Sequence, residues 1–148
     1  MEIRKIKKYE MEEAINLTWK TFLEFEASDY TDEGIKEFQK CINDKKWIEA
    51  KEFWGAFDNG KLLGVIATDN YTHISLFFVD GNYHNKGIGR KLYNKICDLN
   101  KTGSYTVNSS PYARKIYEHL GFEYTDKKQC INGIIFYPME NNKVNNLK

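Results

Sequence analysis

What this chain of 148 residues lacks bounds it first. No charge of one sign dominates: 22 Lys and Arg stand against 21 Asp and Glu, for a net charge of +1. Nucleic-acid binders carry a strongly basic face, so that class is disfavoured. No stretch approaches the roughly 18 apolar residues of a membrane span. The first residues, Met1-Glu2-Ile3-Arg4-Lys5, hold no apolar run of the kind a signal peptide needs. Neither a membrane nor a nucleic acid is expected as a partner. Cys41, Cys97 and Cys130 are widely spaced and odd in number, with no C-x-x-C and no Cys/His pairing suited to zinc. They read as reduced thiols of a cytoplasmic protein, and no metal is expected. There is no internal repeat and no linker, so the length fits one domain able to bury a core.

What is present in quantity is aromatic, 15% of the chain, with ten tyrosines and nine phenylalanines. That suits a packed core and an aromatic-walled pocket. Residues 3 to 9 read as a strand and 10 to 25 as a helix. Residues 24–33 then place five carboxylates in ten positions with no basic one. Thr31 is the expected N-cap of a second helix reaching residue 43. Asp32 and Glu33 fall in its first turn, where the dipole favours them. This structural use outweighs the alternative, attraction of a cationic amine. Strands follow at 52–60 and 61–67, joined by the Asn59-Gly60 hairpin signal. The chain turns over 68–71, and a strand runs from His73 to Val79. A helix over 87–100, a Thr102-Gly103 turn and a strand at 105–108 come next. A short helix over 111–120 has Pro111 at its first position and Gly121 past its end. Strands near 123–128 and 133–138 close the domain at residue 140. Residues 141–148 read as a polar, disordered tail.

The chain is organised around residues 77–92. A strand enters, Ile88, Leu92, Ile96 and Leu99 mark one apolar stripe of a helix, and Gly87 and Gly89 lie where that helix opens. The first backbone N–H groups of a helix have no internal partner, and the dipole there favours an anion. Lys86, Arg90 and Lys91 add positive charge. A bare G-x-G is also a plain strand-to-helix turn. A Walker A loop is absent, and a dinucleotide fingerprint fails because Leu92 stands at the third glycine position.

His84-Asn85-Lys86-Gly87-Ile88-Gly89 resembles the [QR]-x-x-G-x-[GA] loop of the GNAT acetyltransferases, with His84 where Gln or Arg is usual. Residues 110–122, from Ser110-Pro111-Tyr112-Ala113 through Tyr117 to Gly121-Phe122, resemble that family's N-x-x-A-x-x-[FLI]-Y-x-x-x-G-F element. Ser110 replaces the common Asn. The resemblance implies an α/β fold: a mixed, mostly antiparallel twisted sheet of about six or seven strands with about four helices. It implies acetyl-coenzyme A as cosubstrate, with its pyrophosphate on His84, Asn85, Lys86, Gly87, Ile88, Gly89 and Arg90. The pantetheine arm would lie along the backbone of Phe78 and Val79 like an added strand. Tyr117 falls at the position of the family's general acid; a phenol keeps its proton at neutral pH and can give it to a thiolate. A core tyrosine is the alternative for that residue. Asn108 and Ser110 either bond the pantetheine arm or cap the short helix.

The base is less defined. His73 has a side chain suited to accepting a proton near neutral pH. Ser75 and Asp69 lie nearby, and Asp80 reads as a turn residue. The implied activity is acetyl transfer to a primary amine by direct attack in a ternary complex. The acceptor would be a small molecule or a protein amine, and the enzyme a monomer or homodimer. The alternative is a non-catalytic coenzyme A-binding or protein-interaction domain on the same fold.

Overall fold

A computed structural model describes residues 1–70, 72–100 and 103–142. Eight strands lie in the order β1-β2-β3-β4-β5-β8-β6, with β7 paired to β8. They are β1 (Glu2–Lys5), β2 (Lys51–Asp58), β3 (Lys61–Asp69), β4 (His73–Val79), β5 (Ser104–Ser109), β6 (Glu123–Tyr124), β7 (Gln129–Ile131) and β8 (Ile134–Asn142). Every pairing is antiparallel except β4 with β5. The helices are α1 (Met11–Phe25), α2 (Asp32–Ile42), α3 (Lys45–Glu49), α4 (Ile88–Leu99) and α5 (Arg114–His119). The mixed, mostly antiparallel sheet with flanking helices is the expected architecture. It has more strands than expected because the C-terminal segment divides into β6, β7 and β8.

The sheet separates two cores. On one side α4 and α5 pack Ile88, Leu92, Ile96 and Tyr117 against Leu63, Ile66 and Ile74 of β3 and β4. On the other, α1 and α2 pack Ala14, Leu17, Phe22 and Ile42 against Leu62, Val65, Leu76 and Phe78. β3 is apolar almost throughout because both faces are covered. Each fully buried Leu or Ile contributes about 1.5–3 kcal/mol. The α4 stripe is buried at Ile88, Leu92 and Ile96, but Leu99 at its end is 44% exposed.

Local chemistry accounts for most element ends. Thr31 caps α2 as expected, its hydroxyl accepting from the Gly34 N–H at 3.1 Å. The helix α3 is absent from the sequence reading, since five residues are too few to show a helical period. Its signal is Asp44, whose carboxylate accepts from the N–H groups of Lys46 and Trp47. Pro111 does not open a helix. It stands in a turn, and α5 begins three residues later at Arg114. β8 runs on to Asn142, two residues into the expected tail, because Asn141 is buried. The Asn141 amide donates to the Tyr93 hydroxyl at 2.7 Å and the Leu120 carbonyl at 3.0 Å. The expected turn at Tyr71, the start of the Thr102-Gly103 turn and the tail over 143–148 lie outside the described residues.

Candidate functional site

β4 and β5 run side by side only at His73–Thr106 and Ile74–Val107. Beyond Ile74 they separate, leaving one edge of β4 free. The register fixes which groups face that gap. The Asp80 N–H donates to the Leu63 carbonyl of β3 at 2.8 Å, and Val79 stands opposite Gly64. Hydrogen-bonded and non-hydrogen-bonded positions alternate along an antiparallel pair. Phe78 therefore gives its backbone N–H to β3, whereas Val79 and Phe77 turn theirs into the gap. Of the two backbones expected to hold a pantetheine arm, that of Val79 faces the opening. Phe78 reaches the cavity as a lining side chain.

The gap leads into a cavity of about 320 Å³. The α4 N-terminus forms its mouth. Gly87, the residue before α4, is left-handed at φ 78° and offers no side-chain cap. A Cβ at Gly87 would meet open space, so glycine is required there by conformation and leaves the amides accessible. The first turn-to-turn bond, Lys91 N–H to the Gly87 carbonyl at 3.1 Å, leaves the earlier amides of α4 open. Ile88 is buried and anchors the helix start, while Asn85, left-handed at φ 62°, and Lys86 are exposed on the loop. These groups fit a pyrophosphate: open amides, a helix dipole and no obstructing side chain.

His84 departs from the family pattern and has a local role. Its Nε2–H donates to the Val79 carbonyl at 2.7 Å, and its ring packs on Phe25 with centroids 4.7 Å apart. The phosphate loop is thereby tied to the strand that feeds it. Phe25, at the end of α1, also packs on Tyr112 at 5.3 Å and so joins the two lips of the opening. Gly81 permits this, because a Cβ there would lie 2.8 Å from the Phe25 ring. Asp80 is the turn residue expected: it accepts from the Asn82 N–H at 2.9 Å and pairs with Lys20 at 3.4 Å. Arg90 points away from the mouth and donates to the His119 carbonyl at the end of α5, at 3.0 Å.

Tyr117 lines the cavity from α5, its ring 5.9 Å from Phe77 and 5.3 Å from Phe122. It is 5% exposed. Burial pushes its phenol above the ordinary tyrosine value, and the negative charge of Glu26 pushes it further. Ser110 is buried below the turn. Its oxygen accepts from the Ala113 N–H at 3.1 Å, and its hydroxyl favours the charged form of the Glu26 carboxyl. Asn108 is exposed on β5, opposite Pro138, and does not line the cavity.

His73 is not brought to the cavity. It begins β4, and Val79 ends it, a separation of about 20 Å along an extended strand. Its Nδ1 bonds the Thr106 hydroxyl at 2.8 Å, and burial lowers its basicity. The histidine that motif-free reasoning offers as a base pins the closed end of the gap instead. Asp69 pairs with His73 in register at the same end, and Ser75 lies only two residues along.

The carboxyl that does line the cavity is Glu26. It follows α1, with its N–H bonded to the Phe22 carbonyl at 2.9 Å. Of the five acidic residues in 24–33 it alone is buried. Loss of water pushes its carboxyl up to about 7, Asp29 adds to this, and the Ser110 hydroxyl opposes it. Sequence reasoning counted Glu26 within an acidic run and missed its place in the cavity. Asp32 and Glu33 do occupy the first turn of α2.

A larger open groove of about 660 Å³, between α1, α3 and the start of β2, contains none of the motif residues. Among the described residues no group of three or more His, Cys, Asp or Glu could hold a metal ion, and no helix is long and apolar enough to cross a membrane.

Solved structures with this fold include a GCN5-related N-acetyltransferase from Rhodopseudomonas palustris, with TM-score 0.81 and 17% identity over 95% of this chain and 94% of that one. PaiA N-acetyltransferase from Thermoplasma acidophilum, solved with coenzyme A, gives TM-score 0.77 and 20% identity over 95% and 98%. A segment of 83 residues is 34% identical to N-acetylaspartate synthetase of Xenopus tropicalis, covering 49% of this chain and 31% of that protein. Residues 26–143 match the family model of the acetyltransferase (GNAT) domain. With both motifs placed around one opening between β4 and β5, the chain belongs to the GNAT acetyltransferase superfamily.

Proposed function

We propose that this protein is an acetyl-coenzyme A-dependent N-acetyltransferase that moves an acetyl group to a primary amine by direct attack in a ternary complex. The observation that carries the proposal is the opening between β4 and β5, with the α4 amides at its mouth and Tyr117 across from Val79. Acetyl-coenzyme A fits that arrangement. The pyrophosphate takes the open amides of Gly87, Ile88 and Gly89, and the pantetheine arm pairs with Val79 as an added strand. The coenzyme A bound to the PaiA enzyme and the acyl chemistry of the Xenopus relative support the same reading. The Val79 N–H would polarise the thioester carbonyl.

Tyr117 then protects the leaving group. Its raised basicity keeps the phenol protonated throughout the working range. A thiolate released into the same dry cavity is also more basic than in water, since desolvation disfavours any charged form. Burial raises phenol and thiol together, so the transfer exchanges one buried anion for another, and it is completed when the attacking nitrogen returns a proton to Tyr117. The acceptor is a small-molecule or protein amine.

A thermal melt tests the donor step, with acetyl-coenzyme A in excess and ATP and NAD as controls. Ligand at about 100 times its dissociation constant adds about 2.7 kcal/mol of stability. A shift with acetyl-coenzyme A alone, followed by thiol release in the presence of amines, supports the enzyme. A shift without turnover of any amine favours a coenzyme A-binding domain, and no shift removes the reading.

A further inference from the structure

We propose that Glu26 is the proton acceptor of the reaction and that the acceptor substrate enters the cavity as an ammonium ion. This rests on the N-acetyltransferase reading and names the group that reading leaves open. Four observations converge on it. Glu26 lines the cavity that holds Tyr117 and the Val79 end of β4. It is 7% exposed. Among the described residues no ion pair reaches it, and no lysine or arginine lines the cavity. The polar group that favours its charged form is the Ser110 hydroxyl.

A buried carboxyl kept for structure is ordinarily neutralised by a cation, because an isolated buried charge is very costly. Glu26 is held without one, in a space that opens toward the donor. The missing cation is supplied by the substrate.

The groups around it define both charge and pH response. Asp29 and Tyr30 face it from the segment after α1, Ser110 from the end of β5, and Tyr112 and Tyr117 from the turn and α5. His84 closes the cavity from the loop after β4. One carboxylate among phenols and a hydroxyl makes a site for a monocation with an apolar body. Among the described residues it offers no lysine or arginine to pair with a carboxylate beside the reacting nitrogen.

The step balances. The ammonium ion gives one proton to the Glu26 carboxylate, and the freed lone pair forms the C–N bond at the thioester carbonyl. The C–S electron pair leaves on sulfur, which takes the Tyr117 proton. The second nitrogen proton restores Tyr117, and Glu26 releases its own to solvent. Its carboxyl, pushed up to about 7, is poised to accept and release at neutral pH.

The test compares the full-length wild type, Glu26→Gln and Ser110→Ala for acetyl-coenzyme A binding by calorimetry. It also measures amine-dependent thiol release from about pH 5.5 to about pH 9. Monoamines, diamines and amino acids form the acceptor panel. In the wild type, kcat/KM should rise with pH and level above about 7. Glu26→Gln should bind the donor as the wild type does, lose about 100-fold in kcat and lose that limb. Ser110→Ala, which removes the hydroxyl favouring the charged carboxylate, should move the limb to higher pH. Donor binding and turnover with Glu26→Gln unchanged in rate and pH profile would overturn the role of Glu26 alone. A preference for amino acids over monoamines would overturn the acceptor class. A wild type that does not bind acetyl-coenzyme A, or binds it and acetylates no amine, overturns the enzyme reading and this one with it.

Discussion

Tyr117 and Glu26 are perturbed by the same physical change, the loss of water in one cavity, but with opposite chemical use. Burial keeps the phenol protonated, as the proposed proton donor requires. Burial brings the carboxyl toward neutral pH, as the proposed acceptor requires. Tyr117→Phe keeps the ring packing on Phe77 and Phe122 and removes only the proton. It should lower kcat by about 100-fold with the acetyl-coenzyme A dissociation constant unchanged, as read by steady-state thiol release and calorimetry. His73→Ala is the contrasting variant. It removes the bond to Thr106 at the closed end of the gap, about 20 Å from Val79, and should leave kcat/KM and its pH limb as in the wild type. The difference in legibility follows from where each residue gets its meaning. Tyr117 sits in a motif with fixed spacing, so sequence alone points to it. Glu26 is one of five similar carboxylates, and only the packing of α1 against the turn after β5 decides which of them loses water.

Among the elements, those with a chemical signal in a few adjacent residues were readable. Thr31 announced α2, and Gly87 announced the entry to α4. The start of α5 was misread because Pro111 suits both a helix start and a turn; the chain turns over 111–113, with the Ser110 oxygen accepting from the Ala113 N–H, and the helix begins at Arg114. Contacts distant in sequence gave no signal at all. The β7–β8 hairpin docks on α2 through two glycines: a Cβ at Gly34 would collide with the Gly133 carbonyl, and one at Gly133 would lie 2.5 Å from the Thr31 hydroxyl. Gly133 is also left-handed, at φ 79°. Gly34 is helical and would be improved by alanine in an isolated helix. Here the close approach should reverse that sign. Gly34→Ala is expected to destabilise the protein by about 1–3 kcal/mol, read as a lower urea midpoint with m unchanged. A neutral or stabilising result would mean that the hairpin does not press on α2.

For the molecule as a whole, the buried carboxyl links the site to stability. Glu26 titrates at about 7 in the folded protein against 4.5 for an ordinary glutamate, so between those values the folded state holds more protons. Stability from this group is complete below about pH 4.5 and is lost as pH rises through about 7. The full difference is roughly 3 kcal/mol at 1.36 kcal/mol per pKa unit. Other groups act in the opposite direction, Glu10, Asp80 and His73 among them. Glu10, held near 2 by Arg4 at 2.8 Å, loses its contribution only as pH falls toward that value. His73, lowered by burial, disfavours the folded state as pH falls below its ordinary range. Glu26→Gln leaves these in place, so the gap between variant and wild type isolates Glu26. Urea midpoints at pH 5 and pH 8 should show Glu26→Gln gaining on the wild type at the higher pH by a large part of that difference. A gap equal at the two values would mean that Glu26 titrates normally, and the cavity would then hold no proton acceptor poised near neutral pH. The carboxylate that weakens the fold above pH 7 is the one available to take a proton there.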